Sequence, residues 1–148
     1  MFSDFFFLHD GEPIAHLVDE ATSFSVTLYT QSRSWEHTIP IFLKWREFLG
    51  HIQRVSSDQE GCIGSDPAGF WLERRGTRRR LVGRAQHLPK VEKHNDLIET
   101  GAKLFIDDCR TEGIVVAKKE ALAEVTGAKN QTTEFGGFSP SQAVLGKN

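Results

Sequence analysis

Cysteine is scarce, and the little present cannot staple a fold. Cys62 and Cys109 are the only two in 148 residues and form no CxxC pair. That argues against a disulfide framework or a thiolate zinc site, and for free thiols in a reducing, intracellular compartment. Histidine supplies no metal module either, since His9, His16, His37, His51, His87 and His94 show neither HxxxH nor a His-His-Cys-Cys order. Long apolar runs are missing. The run over residues 5–8 is far too short to span a bilayer and lacks the basic flank of a signal peptide, so no membrane association is expected. There is no surplus of positive charge: the formal net charge is −2 and the pI is near 6.3. Any nucleic-acid contact must therefore come from a local patch. Gly61 and Gly64 are followed by no P-loop lysine, and no small-molecule cofactor is expected. With no internal repeat or low-complexity tract, the expectation is one domain over residues 1–148.

What is present reads as alternating strands and helices. Three consecutive phenylalanines within residues 1–8 suit a buried strand, Gly11-Glu12-Pro13 a turn, and residues 14–18 a second strand. Phe24, Val26 and Leu28 alternate with polar neighbours and predict a third strand over residues 24–30. Ser34 is placed to cap a helix that Gly50 closes and Pro40 bends slightly. A short fourth strand should end at Asp58, a helix should start at Asp66-Pro67 and run toward Gly76, and residues 77–82 supply a fifth strand. Val91, Ile98, Ala102, Phe105 and Cys109 recur on one side of a long helix over residues 90–110. A weaker helix covers residues 118–129, and a glycine-rich tail with the apolar group Ala143 to Leu145 closes the chain. This order implies an α/β fold whose sheet has antiparallel and parallel parts.

Three acids stand at element ends: Asp4 and Asp58 on strands, and Glu92 in the first turn of the long helix. Carboxylate oxygens from separate elements are what Mg2+ or Mn2+ prefers, and a pair of such ions can activate an attacking oxygen while stabilising a leaving one in phosphodiester chemistry. The bland alternative is that these are three of the 20 acidic residues that solvate the surface.

Four matches then occur in a telling order. The pair Asp4-Phe5-Phe6-Phe7-Leu8 and His16-Leu17-Val18-Asp19-Glu20-Ala21-Thr22-Ser23-Phe24-Ser25 resembles the first strands of integrase catalytic cores of the retrotransposon and retroviral type. Ser57-Asp58-Gln59-Glu60-Gly61 resembles the second-acid motif, and Val91-Glu92-Lys93-His94-Asn95 the opening of the third-acid helix. Gly137-Phe138-Ser139-Pro140-Ser141-Gln142-Ala143-Val144-Leu145-Gly146 resembles the core-closing segment, here within about residues 130–148. The resemblance covers nearly the whole chain. It implies an RNase H-like fold with a mixed five-stranded sheet flanked by helices. It further implies a DDE triad of Asp4, Asp58 and Glu92 holding two Mg2+ or Mn2+ ions, and strand transfer of retroelement DNA into a target. A DNA partner, a homodimer or higher oligomer, and a nuclear location follow on the same footing. The 33 residues between Asp58 and Glu92 fall slightly short of the family's usual interval, and the aromatic residue expected soon after the second acid is missing.

Alternatives stay open beside this reading. The runner-up reading is an excised core or a catalytically inactive, domesticated remnant that serves as a nucleic-acid-binding or interaction module. An RNase H-type nuclease would want a fourth acid. Arg78, Arg79, Arg80, Arg84, Lys90 and Lys93 form a basic stretch suited to phosphate binding, or to plain solvation, although strand alternation sends Arg79 to the face opposite Arg78 and Arg80. Asp96 and Glu99 lie along the helix where DNA would favour cations. Asp19 reads as a turn residue, Glu60 as a loop acid near Asp58, and Trp35, Trp45 and Trp71 as packing residues.

Overall fold

The computed structural model describes residues 1–8, 11–58, 61–83, 89–134 and 136–146. Five strands form one mixed sheet in the order β3-β2-β1-β4-β5: β1 (Phe2–Phe7), β2 (Pro13–Val18), β3 (Ser25–Tyr29), β4 (Arg54–Asp58) and β5 (Arg78–Val82). The first three make an antiparallel meander, with Asp4 opposite His16 and His16 opposite Thr27. β4 then joins the other side of β1 in parallel, pairing Phe2 with Ser56, and β5 joins β4 in parallel, pairing Asp58 with Val82. Both parallel joins need crossovers, and α1 (Trp35–Leu49) and α2 (Asp66–Glu73) fall in them.

Local chemistry sets these helix ends. Ser34 caps α1 by accepting from the His37 amide, and Gly50 closes it with a positive φ of 80° that a side chain would strain. Ser65 caps α2 by accepting from the Ala68 amide, with Pro67 in the first turn. α2 stops at Glu73, short of Gly76, and α3 spans Pro89–Thr111, close to the expected bounds. α4 runs over Lys118–Thr132. The tail adds α5 (Pro140–Leu145), where sequence reading gave only a short apolar group; Ser139 and Gln142 cap it reciprocally.

Each sheet face has its own cover. On the first, Ala15, Leu17 and Val55 pack beneath Trp35, Ile41, Phe42 and Trp45 of α1 and Ala68 and Leu72 of α2. The three expected packing tryptophans do lie here, Trp35 meeting Phe42 and Trp71 with ring centroids 5.5 Å apart in each case. On the second, Phe6 and Ile14 pack beneath Ile98 and Ala102 of α3 and Leu122 of α4. α3 buries Val91, His94, Asn95, Ile98 and Ala102, a stripe at three- and four-residue spacing; Phe105 and Cys109, expected on it, are only half-buried. α3 and α4 cross closely at Gly101, where an added Cβ would come within 2.8 Å of Val125. Among the described residues, no helix is long and apolar enough to cross a membrane, and both cysteines are free thiols.

Candidate metal and nucleic-acid site

The sheet register assembles the acids. Asp4, expected at a strand end, lies instead mid-way along β1, because the antiparallel ladder with β2 runs from Phe2 to Phe7; carrying the Phe2–Ser56 pairing two residues onward places Asp58, at the end of β4, beside it. Adjacent strands lie about 4.8 Å apart, and residues two apart on a strand share a face, so Asp4 and Asp58 project to the same side. That side is the one α3 covers, because Phe6, which shares Asp4's parity, packs under Ile98. Glu92 sits exposed in the first turn of α3. One turn on, Asn95 Nδ2 donates to Asp4 Oδ2 at 2.8 Å and ties the start of the helix to β1.

Burial pushes the Asp4 carboxyl above the usual aspartate range, and the negative charges of Asp58 and Glu92 push it the same way. Hydrogen bonds to Asp4 from the Phe5 backbone and from Asn95 act in the opposite direction. Asp4 therefore feels the charge of the other two acids. Among the described residues, however, no three His, Cys, Asp or Glu side chains converge closely enough to hold a metal ion. Like-charge repulsion opposes such convergence. The donor set, oxygens from three carboxylates, suits a hard cation such as Mg2+ or Mn2+ and offers no nitrogen or sulfur to a softer one.

Gly61 is shaped to the second acid. A Cβ there would stand 2.6 Å from Asp58 Oδ1, so only glycine leaves that carboxylate its present position. Ser57 Oγ also donates to Asp58 Oδ1, at 3.4 Å. Glu60, the loop acid, lies outside the described residues, as do His9, His87, Arg84 and Phe135.

The basic stretch divides between the two faces of the sheet. Arg78 pairs with Arg54 and Arg80 with Ser56, and by strand alternation these share the face of Asp58. Arg54, Arg78 and Arg80 are exposed there. Arg79 points the other way, its Nη1 donating to the carbonyls of Ile63 at 2.9 Å and Ser65 at 2.7 Å, with the guanidinium packed over Gly69. The structure thus gives Arg79 a place in the α2 loop and leaves Arg78 and Arg80 toward solvent. Lys93 is exposed, and Lys90 Nζ donates to the Glu20 carbonyl. Asp96 is exposed and Glu99 pairs with Lys103 one turn along α3. Asp19 is a turn residue, as expected, accepting from the amide and hydroxyl of Thr22.

Three residues to which sequence reading gave no role of their own touch or extend this site: Asn95 and Gly61, which it met only within the family-like strings or as a loop glycine, and Arg54, which it did not single out. A signal existed only for Asn95, a polar residue occupying a buried position of the α3 stripe one turn from Glu92.

No family model matches the sequence, and no curated protein does. The likeness lies in solved structures. The magnesium-bound, trimeric form of the HTLV-2 integrase catalytic core domain matches with a TM-score of 0.81 at 15% identity, covering 97% of this chain and 93% of that one. The dimeric form of the same domain gives 0.79 at 14%, covering 95% and 90%. A chain from the structure of a simian T-cell lymphotropic virus intasome in complex with PP2A regulatory subunit B56 gamma gives 0.85 at 13%, covering 99% of this chain and 54% of that one. The chain thus has the fold of retroviral integrase catalytic cores, an RNase H-like mixed five-stranded sheet with flanking helices.

Proposed function

We propose that this chain is an integrase-type polynucleotidyl transferase core that cuts and joins DNA phosphodiesters, with Asp4, Asp58 and Glu92 as ligands for two Mg2+ or Mn2+ ions. The observation that carries this reading is the juxtaposition of Asp4 and Asp58 on adjacent parallel strands, with the Glu92 charge acting on Asp4, in a fold shared with integrase cores. When bound, the ions would supply an activated attacking oxygen and charge stabilisation for the leaving one. The chain's own residues would position them: the β1–β4 register sets the two aspartates, and the first turn of α3 brings the glutamate. Arg78, Arg80 and Arg54, on the face that carries Asp58, would contact DNA phosphates, with Lys93 and Lys90 beside the acids. Exposed Leu43 and Phe48 on α1 favour self-association into a dimer or higher oligomer. A DNA-joining activity would place the protein in the nucleus.

A second reading is supported by the failure of three potential ligands to converge among the described residues. On it, the chain is an inactive or domesticated core that retains the fold and the arginine face as a nucleic-acid-binding module.

Calorimetric titration with Mn2+ separates the two. The first reading expects saturable binding that Asp58→Asn and Glu92→Gln each abolish at unchanged fold content, followed by strand-transfer activity lost in the same variants. No saturable binding, or binding indifferent to both substitutions, would sink it in favour of the second.

A further inference from the structure

Behind Asp4 runs a line of buried polar groups that core packing does not require. Lys129 on α4 donates from Nζ to Ser25 Oγ at 2.8 Å and to the Ser23 carbonyl. Ser25 Oγ lies 2.9 Å from His16 Nε2, His16 Nδ1 lies 2.6 Å from Asn95 Oδ1, and Asn95 Nδ2 reaches Asp4 Oδ2 at 2.8 Å. Lys129, Ser25, His16 and Asn95 are each at most 6% exposed. Four hydrogen bonds thus link α4, β3, β2, α3 and β1.

The chemistry of the two ends leaves one direction for every proton in this line. An ammonium only donates, so Ser25 Oγ accepts from Lys129; and since Asp4 turns the Asn95 oxygen toward a neutral His16, Nδ1 must donate and Ser25 gives its own proton to His16 Nε2. That nitrogen is then an acceptor, and the imidazole carries its proton on Nδ1, which donates to Asn95 Oδ1. The Asn95 amide is thereby oriented with Nδ2 toward Asp4, whose ionised carboxylate only accepts. His16 must be neutral for this to hold, and burial pulls its pKa down to about 3, well below physiological pH. Burial also lowers Lys129, to about 8, which leaves it protonated at neutral pH. The middle of the line is clamped: the Ser25 amide donates to Asn130 Oδ1 at 2.9 Å, and Asn130 Nδ2 donates back to the Ser25 carbonyl at 2.8 Å.

We propose that Lys129, Ser25, His16 and Asn95 are positioning residues, a one-way hydrogen-bond relay from α4 that fixes the orientation of the Asp4 carboxylate. A chain of aligned donors polarises each bond in turn, and in a buried setting a reversed member would leave two like groups facing each other. The relay stops Asn95 from flipping and holds Asp4 Oδ2 on the amide. Its service to a metal site rests on the function proposed above; its existence does not.

The test uses the full chain labelled with 15N-histidine, metal-free at neutral pH, with the His16 resonances identified by their loss in His16→Gln. The relay requires a neutral His16 with its proton on Nδ1. Lys129→Met should accelerate solvent exchange of that proton about ten-fold by loosening the line, and Lys129→Gln, which keeps an N–H donor, should restore it. If Lys129→Met fails to fold in a thermal melt, Ser25→Ala is read in its place. A proton on Nε2, an imidazolium, or exchange unmoved by loss of the Lys129 donor overturns the relay. Mn2+ affinity then tests its purpose: Asn95→Ala should weaken binding about ten-fold and Lys129→Met by less, as for outer partners of metal ligands. Undiminished affinity in both variants would refute the positioning role. A wild-type chain that binds no Mn2+ would instead remove the metal-site reading and with it that purpose, while the tautomer measurement still decides whether the relay exists.

Discussion

The two faces of the one sheet are built to different specifications. Under α1 and α2 the contacts are mainly apolar, with Ala15, Leu17, Val55 and Ile41 packed around an aromatic group of Trp35, Phe42 and Trp71. Under α3 and α4 the apolar patch of Phe6, Ile14, Ile98 and Leu122 is flanked by polar pairs: Asp4 with Asn95, His16 with Asn95 and Ser25, Thr27 with Thr126, and Ser25 with Asn130. Apolar burial stabilises without directional demands, whereas each buried polar group costs free energy unless its partner is in place. The first face therefore holds the sheet together. The second spends stability on orientation, and it is the face toward which both aspartates project.

The sharpest break of this contrast is at Phe42, which is fully buried on the first face. Phe42→Ala should cost about 3–5 kcal/mol of folding free energy in urea denaturation, through lost transfer energy and the cavity left behind. A loss under about 1 kcal/mol would mean that the aromatic group is not the principal support of the sheet.

Gly61→Ala should do the reverse. Its φ of −70° is open to alanine, so stability should hold or rise by about 0.4–1 kcal/mol through a less flexible unfolded chain. The added Cβ would displace the Asp58 carboxylate, and Mn2+ affinity should fall about ten-fold as the ligand geometry loosens. Equal affinity in this variant and the parent would show that Asp58 does not need its present position.

A third break is one of pH. His16 has an ordinary value of 6.5 when unfolded and about 3 when folded, so between these the unfolded chain binds the extra proton. The neutral-imidazole contribution is thus complete above pH 6.5 and is lost as pH falls toward 3, with a slope of at most about 1.4 kcal/mol per pH unit. Asp4 acts with the opposite sign, since its raised folded value favours the native state as pH falls toward 3.8. Chemical denaturation across this range should show the decline on acidification, and His16→Gln should flatten it. A variant with the parent's slope would remove His16 as the cause.

Much of the fold was legible because burial leaves a local trace. Seven- and four-residue spacing in Val91, Ile98 and Ala102 gave the long helix, and Ser34 and Gly50 marked the ends of another; alternation in Phe24, Val26 and Leu28 gave a strand, although these three are half-buried and the polar Ser25 and Thr27 between them are the buried ones. Alternation alone also separated Arg79 from Arg78 and Arg80, which its bonds to Ile63 and Ser65 bear out. The helix at Pro140–Leu145 escaped because six residues carry too few turns to show a period. His16 gave a faint hint as the one ionisable side chain in a fully buried strand, but nothing near it in sequence says what it faces.

The sequence by itself determined which segments pair or coil and which acids were worth following, because backbone propensity and hydrophobic period act over a few residues. Only the tertiary structure decided that Asp58 lies beside Asp4, that Arg54 joins Arg78 on one face, and that a lysine on α4 is linked to an aspartate on β1. The partners in that last line lie up to 104 residues apart. Strand register and buried hydrogen bonds between such distant positions are fixed when the layers pack, and they impose no periodicity on the sequence that encodes them.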